Sequence, residues 1–262
     1  MTTGAFTPAY RAGSGPALLL IHGFMDTWRS WELVLEALQR RHDVLAVTLP
    51  GHAGGPPLPE PVTESAMVDA LETAMDDAEF ALADVAGNSL GGYLALKLAQ
   101  RGRARTVTAL APAGGWAAHD SSYRDTFALQ LDLQRQVAAI APQAEALLAS
   151  PAARRAATQY TAVHFSHIPA QLLAHQMRGV AACSGARALI EHAQLAGWSL
   201  DPAAIACPVR IVWGTEDRLL PWPSAAARYR EWLPHADWVI LDDVGHCPQL
   251  DVPLQAAEMI VI

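Results

Sequence analysis

Short apolar runs recur along the chain, and few polar residues interrupt them. A strand with one face in water alternates apolar and polar side chains, whereas a parallel strand covered on both faces is apolar throughout. The runs are rich in Val, Leu, Ile and Ala and are too short for helices. They predict six buried strands, at residues 17–21, 44–48, 81–86, 107–110, 209–213 and 238–241.

Segments with helical spacing separate the first four runs. They predict helices at residues 31–40, 64–75 and 90–101. Strands that alternate with helices are typical of the α/β class, in which helices cover both faces of a doubly wound, mostly parallel sheet.

The alternation stops after the fourth run and resumes with the fifth. The interval is rich in Ala, Leu and Gln, and Ser150-Pro151 and Ile168-Pro169 are typical helix starts, because proline fits the first turn. We predict an all-helical insertion at residues 116–198, inside a core formed by residues 1–115 and 199–262. Sites of open α/β folds lie at the carboxyl ends of the strands, so we expect the insertion there. The alternative is a second helical layer that only enlarges the core.

Composition and charge narrow the class of protein. Of 262 residues, 52% are hydrophobic and 17% charged, as in a globular chain with a substantial core. The net charge of −8, without a block of Lys or Arg, argues against nucleic acid and anionic membranes as partners. Three widely spaced cysteines indicate reduced thiols. We recognise no signal peptide or membrane segment and expect a cytoplasmic protein.

The string GNSLGG, at residues 87–92, separates the third run from a predicted helix. Its first five residues fit Gly-x-Ser-x-Gly, a sharp strand-to-helix turn that exposes the serine hydroxyl. Ser89 is therefore a candidate nucleophile. Glycines beside it would let the turn adopt a strained shape and let the strand and the helix approach closely. An ordinary glycine-rich loop is the alternative.

The first run ends at His22-Gly23-Phe24, on a turn that could lie beside Ser89. A backbone N–H of this turn, together with the N–H of Leu90, would form an oxyanion hole, where fixed donors meet the charge that develops on a carbonyl oxygen. A tight turn with a buried, structural His22 is the alternative.

An acid and a base follow the last two predicted strands. Asp217 is the preferred acid for holding a histidine in one tautomer, with Glu216 and Asp243 as lesser candidates. His246 is the preferred base among the ten histidines, because it follows the last predicted strand and because imidazole accepts a proton near neutral pH.

A metal site is the other chemistry that histidines could supply. His164 and His167 lie close together in the insertion, but no third ligand stands out beside them. We therefore predict no bound metal.

The order serine, acid, histidine is that of the α/β-hydrolase fold and differs from the orders in chymotrypsin and subtilisin. Nearly the whole chain resembles this family, through HGF, LPGHAG, GNSLGG, WGTEDRLLP and GHCPQL. The resemblance implies a nucleophile at Ser89, an acid at Asp217, a base at His246, and oxyanion N–H groups from Phe24 and Leu90. It also implies that the insertion is a cap and that no cofactor is needed. The short N-terminal region departs from the family and indicates a missing or abbreviated first strand.

These groups predict acyl transfer to water through a tetrahedral intermediate and an acyl-enzyme. A carboxylic-ester hydrolase is the leading interpretation, since the family's epoxide hydrolases and haloalkane dehalogenases carry Asp where this chain has Ser89. A carbon–carbon bond hydrolase of the meta-cleavage-product type is the first alternative. Those enzymes share the Gly-Asn-Ser-x-Gly-Gly string but have HGxGPG in the oxyanion segment and usually Trp in place of Cys247. A non-catalytic ligand-binding protein is the second alternative.

The expected partner is a small-molecule ester or a related acyl compound, bound by a monomer or homodimer. We predict five substrate contacts, although helical spacing makes core packing the commoner outcome for apolar residues of the insertion. The five residues are Met25, Asn88, Phe127, Tyr160 and Cys247.

Overall fold

A single twisted sheet organises the protein, whose computed structural model describes residues 5–261. Its strands are β1 (Ala9–Gly13), β2 (Ala17–Ile21), β3 (Asp43–Val47), β4 (Ala83–Asn88), β5 (Ala104–Leu110), β6 (Val209–Gly214) and β7 (Asp237–Leu241). They lie in the order β1-β3-β2-β4-β5-β6-β7, with β1 antiparallel to β3 and the other neighbours parallel. Within residues 5–261, none of the helices has the length and the apolar character that a membrane span requires.

Strands β2 to β7 correspond to the six apolar runs, and the predicted sheet is confirmed. Strand β1 has no counterpart among the predictions, because its half-exposed side chains form no apolar run. It pairs with β3 along the sheet edge, where Arg11 forms an ion pair with Asp43 at 2.7 Å. Within the described residues, the N-terminal region contributes this one short strand before β2.

Helices cover both faces of the sheet. Those outside the insertion are α1 (Glu32–Leu38), α2 (Glu64–Asp77), α3 (Leu90–Gln100), α9 (Ala227–Trp232), α10 (Pro248–Asp251) and α11 (Pro253–Ile260). Leu19 and Ile21 of β2 belong to the core on the face of α2 and α3, while Leu18 and Leu20 belong to the core on the face of α1 and α11. This use of both faces explains why the strand is apolar throughout.

One charged residue interrupts the buried strands. Asp84 of β4 accepts hydrogen bonds from Arg105 at 2.8 Å and from the Thr106 hydroxyl at 2.9 Å, both on β5. The carboxylate is therefore paired where it is buried, as a charge in a sheet interior must be.

The segment between β5 and β6 contains helices and turns without a strand. Helix α6 begins at Pro151 and α7 directly follows Pro169, where the proline signals predicted helix starts. Residues of this insertion, among them Ile168 and Leu172, pack on Cys247 and Leu250, which follow β7. The insertion thus covers a loop at the carboxyl end of the sheet. Its helices are α4 (Tyr123–Ile140), α5 (Ala144–Leu147), α6 (Pro151–Thr158), α7 (Ala170–Ala182) and α8 (Ala186–Ala196).

Candidate active site

Ser89 forms the junction between β4 and α3, with φ 56° and ψ −118°. Residues with a Cβ rarely adopt this conformation, which costs on the order of 1–3 kcal/mol. Neighbouring backbone holds it there. The Ser89 N–H donates to the carbonyl of Leu110 at 2.8 Å, and the Ala113 N–H donates to the carbonyl of Ser89 at 3.0 Å. Strand β5 and the turn after it thus fix a strained serine at the end of β4.

The glycines near Ser89 allow α3 to approach β4 and β2 closely. A Cβ on Gly87 would collide with the carbonyl of Gly91, and a Cβ on Gly91 would collide with the carbonyl of Ile21 at the end of β2. The predicted tight packing of strand against helix is confirmed. The positive φ, however, falls on the serine itself rather than on Gly87 or Gly91.

Asp217 and His246 meet in the interior, although 29 residues separate them. The Nδ1 atom of His246 lies 2.7 Å from Oδ2 of Asp217, and both side chains are almost completely buried. The other carboxylate oxygen accepts from the N–H groups of Leu219 at 2.9 Å and Leu220 at 2.7 Å. These contacts leave Nε2 as the histidine nitrogen available for proton transfer.

The lesser acid candidates lie elsewhere. Glu216 is exposed and lines a small cleft with Arg155 and Arg218. Asp243 is also exposed and lies 3.3 Å from Nε2 of His164. Of the three acids, the structure brings Asp217 to His246.

Asn88 connects the turn of Ser89 to the loop that carries His246. Its amide nitrogen donates to the carbonyl of His246 at 3.0 Å and to that of Leu110 at 3.1 Å. Its amide oxygen accepts from Cys247 at 3.3 Å and from Gln249 at 3.1 Å. The side chain is thus fully engaged within the protein.

Two predicted substrate contacts are therefore corrected. Asn88 and Cys247 are buried, and they line neither the cavity at Ser89 nor the larger cavity that adjoins it. Burial, and after it the negative charge of Asp26, raises the pKa of the Cys247 thiol well above its usual value. The sequence could not show that these side chains are buried, because a residue next to a nucleophile or a base can face either the substrate or the protein interior.

The turn after β2 lies against Ser89. A Cβ on Gly23 would be 3.2 Å from the Cβ of Ser89. The Leu49 N–H donates to Nε2 of His22 at 2.9 Å, so Nδ1 carries the proton and donates to the Gly23 carbonyl at 2.6 Å. Burial lowers the pKa of His22 well below its ordinary value, which keeps this buried ring neutral.

The amide groups expected to bind an oxyanion are free for that purpose. No hydrogen-bond acceptor within residues 5–261 receives the backbone N–H of Phe24 or of Leu90. Leu90 is the first residue of α3, where backbone N–H groups and the helix dipole favour negative charge. Gly23, next to Phe24, lies directly beside Ser89.

Ser89 opens onto a small, mainly apolar cavity of about 80 Å³ between the sheet and the insertion. Phe127, a predicted contact, lines it with Phe24 and Leu90. Its polar lining includes Glu64, which accepts a hydrogen bond from Tyr93 and pairs with Lys97. Among the described residues, no Lys or Arg lines this cavity.

A second cavity, of about 420 Å³, is lined in part by the same residues. Phe24 and Gln130 line both cavities, so the two spaces adjoin. Met25 and Tyr160, both predicted substrate contacts, line the second cavity. Three of the five predicted contacts thus face the spaces above the sheet.

The histidine pair of the insertion makes protein contacts. The backbone N–H of His164 donates to Oδ1 of Asp251 at 2.6 Å, and Nδ1 of the same histidine lies 3.1 Å from that oxygen. Nε2 of His167 lies 2.8 Å from the Leu250 carbonyl. Across residues 5–261, no group of three or more His, Cys, Asp or Glu side chains is arranged to hold a metal ion.

Two further carboxylates near the site escaped the sequence analysis. Asp26 lines the second cavity, and Asp251 receives hydrogen bonds from the insertion and from the loop of His246. The short strings HGFMD and PQLD that contain them give no sign of these contacts. The bonds from Val163 and His164 to Asp251 and from Gln176 to Asp26 join residues 87 to 150 positions apart in sequence.

Fold and site together define an α/β hydrolase. The sequence pattern of the alpha/beta hydrolase fold family matches residues 16–253, and the chain belongs to this family. It is therefore a hydrolase of the α/β-hydrolase fold, as the resemblance implied.

Individual relatives differ in their reactions. The chain is 27% identical to the epoxide hydrolase EphH of Mycobacterium tuberculosis over 204 residues, which is 76% of this chain and 94% of that protein. It is 31% identical to the 2-hydroxymuconate semialdehyde hydrolase of a Pseudomonas species over 120 residues, 44% of this chain and 42% of the relative.

A solved structure shows the same fold. A bacterial membrane phospholipase A superimposes with a TM-score of 0.74 at 24% identity, covering 95% of this chain and 79% of that one. At this identity the likeness concerns the fold alone.

Proposed function

We propose that this protein is a serine hydrolase that cleaves small carboxylic esters through an acyl-enzyme, with Ser89, His246 and Asp217 as its triad. The observation that carries the proposal is the buried contact between His246 and Asp217. Asn88, the residue before Ser89, donates a hydrogen bond to the His246 carbonyl and so ties the loop of His246 to the turn of Ser89. A serine hydroxyl needs a base to accept its proton, and a histidine held by a carboxylate supplies one.

The proposed reaction begins when Ser89 Oγ attacks the ester carbonyl carbon and transfers its proton to Nε2 of His246. The tetrahedral intermediate collapses, the bond to the alcohol oxygen breaks, and His246 returns the proton to the departing alkoxide. Water then attacks the acyl-enzyme with the same proton path and releases the acid and free Ser89. Asp217 keeps the proton on Nδ1 and stabilises the imidazolium that forms in both halves.

The free N–H groups of Phe24 and Leu90 support the same reaction. Negative charge develops on the carbonyl oxygen as the carbonyl carbon becomes tetrahedral, and two fixed donors stabilise it more than they stabilise the substrate. One such donor is typically worth ~10²–10³ in rate. In this proposal the insertion acts as a cap that encloses the acyl or alcohol part of the ester.

Epoxide opening, the reaction in the name of one relative, is poorly served by Ser89. A carboxylate that opens an epoxide forms an ester, which water can cleave. A serine hydroxyl would form an ether, which has no carbonyl for water to attack. The chemistry of the nucleophile therefore supports an acyl substrate.

Carbon–carbon bond hydrolysis is the second candidate, because a relative of that name matches part of the chain and because the chain contains GNSLGG. Such a reaction would favour a cation against the acid end of the substrate. Arg178 pairs with Glu145, and Arg187 is largely exposed near Glu191. The absence of Lys and Arg from the described lining of the Ser89 cavity favours an ester without a carboxylate group. A non-catalytic ligand-binding role fits less well, since each triad position carries a suitable residue.

The test is covalent labelling of Ser89 combined with a substrate panel. We expect an organofluorophosphonate to add one group to Ser89, and Ser89→Ala to lose labelling and turnover, by up to ~10⁶ in kcat as in other serine triads. Ser121→Ala, at an exposed loop position, is the matched control and should behave as the native protein.

Intact-mass and peptide analysis would locate the label. A label on a residue other than Ser89 would refute the nucleophile. Chromogenic esters of graded acyl length, tested beside a meta-cleavage dienoate, decide between the two reactions. Faster turnover of the dienoate than of every ester would favour carbon–carbon cleavage.

A further inference from the structure

The carboxylate of Asp26 lines the second cavity, and no cation among residues 5–261 pairs with it. Oδ1 of Asp26 accepts from the N–H of Thr27 at 2.8 Å, and Oδ2 accepts from the side chain of Gln176 on α7 at 2.9 Å. Both donors are neutral. The arginines nearest in sequence to these groups, Arg29 and Arg178, pair with other carboxylates.

An unpaired charge in such a place is unfavourable for folding. Burial raises the pKa of Asp26 to about 6, against the opposing effect of its two hydrogen bonds. A carboxylate has about four acceptor positions, and the two described donors leave capacity unused. Part of the residue remains accessible, and it lines the second cavity. A group that enters this cavity can therefore supply the missing donor.

The position of Asp26 relates the second cavity to the reaction. It is two residues beyond Phe24, which lines both cavities and offers one of the free N–H groups. Its charge also acts on Cys247, the residue after His246. An ester whose carbonyl lies on Ser89 can thus extend past Phe24 towards Asp26.

The rest of the lining restricts the substrate. Apolar side chains, among them Leu173, Met177 and Val180, form much of the wall. The remaining polar groups are neutral amides and hydroxyls, such as Gln136 and Tyr160. Among the described lining residues, Asp26 is the one with a formal charge. A mainly apolar chain that ends in one donor group matches this distribution.

We propose that the second cavity binds one arm of the ester and that Asp26 selects an arm that carries a hydrogen-bond donor, a protonated amine above all. The proposal rests on the ester hydrolysis proposed above. A cation gains most, because its positive charge balances that of a carboxylate whose two described donors, Thr27 and Gln176, are neutral. A hydroxyl arm satisfies the same acceptor without the charge and ranks between the amine and a methyl group.

The test compares three esters that differ at one terminal group: an amine, a hydroxyl or a methyl. Asp26→Asn keeps an oxygen acceptor for Thr27 and removes the charge. We expect the ratio of kcat/KM for the amine over the methyl ester to fall at least about tenfold in Asp26→Asn, while the methyl ester changes by less than about threefold. The control Asp132→Asn removes an exposed carboxylate of α4 and should leave the ratio unchanged.

A binding measurement separates this proposal from the catalytic one. Calorimetric titration with a linear alkylammonium and its matching alcohol should show tighter binding of the ammonium, and Asp26→Asn should abolish the difference. Binding does not require Ser89 to react, so this result stands even if no ester is cleaved. An unchanged amine preference, or an equal loss for all three esters, would assign Asp26 a structural role and overturn the proposal.

Discussion

Ser89 and its neighbours each meet a different requirement of one turn. The serine has the strained backbone conformation that projects its hydroxyl. Gly87 and Gly91 lie where α3 meets the ends of β2 and β4, and there is no room for a side chain at either position. Asn88 uses its amide to fix the loop of His246. A strained residue persists only where its surroundings over-determine it, and here the close contacts of Gly91 are part of that frame.

Gly91→Ala tests this frame. Its methyl group would collide with the backbone of Ile21 and His22, which cannot move without separating α3 from β2. We expect a loss of more than ~4 kcal/mol of unfolding free energy, or failure to fold. Gly102→Ala is the control, since it has open space and only its φ of 72° is unfavourable. That change should cost ~1–2 kcal/mol in urea unfolding. Equal losses in the two variants would contradict the close-contact argument.

At the scale of elements, the insertion and the loop after β7 are joined through one buried carboxylate. Oδ1 of Asp251 accepts from the N–H of His164 at 2.6 Å, and Oδ2 accepts from Val163 at 2.9 Å and from Gly245 at 2.6 Å. The Cys247 N–H also donates to the insertion, at the carbonyl of Thr161, at 2.8 Å. These bonds fix both residues that flank His246.

Asp251→Asn should therefore affect both stability and the base. An amide nitrogen in place of either oxygen would face N–H donors in the interior, at a cost of at least ~2 kcal/mol. We expect a displaced His246 loop to lower kcat about tenfold or more, with a smaller change in KM. The control is Asp243→Asn, because the Asp243 carboxylate is exposed and lies 3.3 Å from Nε2 of His164 on the surface. Native kcat in a destabilised Asp251→Asn would show that the carboxylate supports the fold without positioning His246.

Over the whole molecule, several buried histidines stay neutral. Burial lowers the pKa of His52 and of His175 to about 4, and it lowers the pKa of His22 well below its usual value. His22 and His52 lie in edge contact with ring centroids 5.0 Å apart, under the turn of Phe24. His175 lies 3.2 Å from the hydroxyl of Thr27 and so joins α7 to the same region.

These histidines predict loss of stability in mild acid. Their pKa values are lower in the folded than in the unfolded chain, so the unfolded chain binds more protons below about pH 6.5. Stability is thus fully present above pH 6.5 and falls towards pH 4, by about 2 kcal/mol at pH 5 for each of His52 and His175. The raised pKa of Asp26 acts in the opposite direction between about pH 4 and 6 and offsets part of this loss.

Urea unfolding at pH 7.5, 6 and 5 measures the effect. His52→Asn should flatten the dependence on pH, whereas His235→Asn, at an exposed position, should not. Stability that stays constant from pH 7.5 to 5 in the native protein would contradict a neutral, buried His52.

The sheet and the turn of Ser89 could be predicted from sequence because their signals are local. An apolar run such as β2 specifies a strand covered on both faces, and GNSLGG specifies the turn. The half-exposed β1 lacked such a signal and was missed. Asp217 was preferred over Glu216 from sequence, but both acids directly follow β6, and only the fold shows that Asp217 is the one that reaches His246.

The sequence by itself determined the class of fold. Periodicity, glycine spacing and chain order also predicted a helical insertion and the candidate residues Ser89 and His246. Tertiary structure decided which side chains face the cavities. The side chains of Asn88 and Cys247 point into the protein interior and bond to each other. Asp26 lines the second cavity, and Asp251 bonds to the loop of His246. The physical reason is that these contacts link segments distant along the chain, so burial and hydrogen bonding there depend on packing that no local pattern encodes.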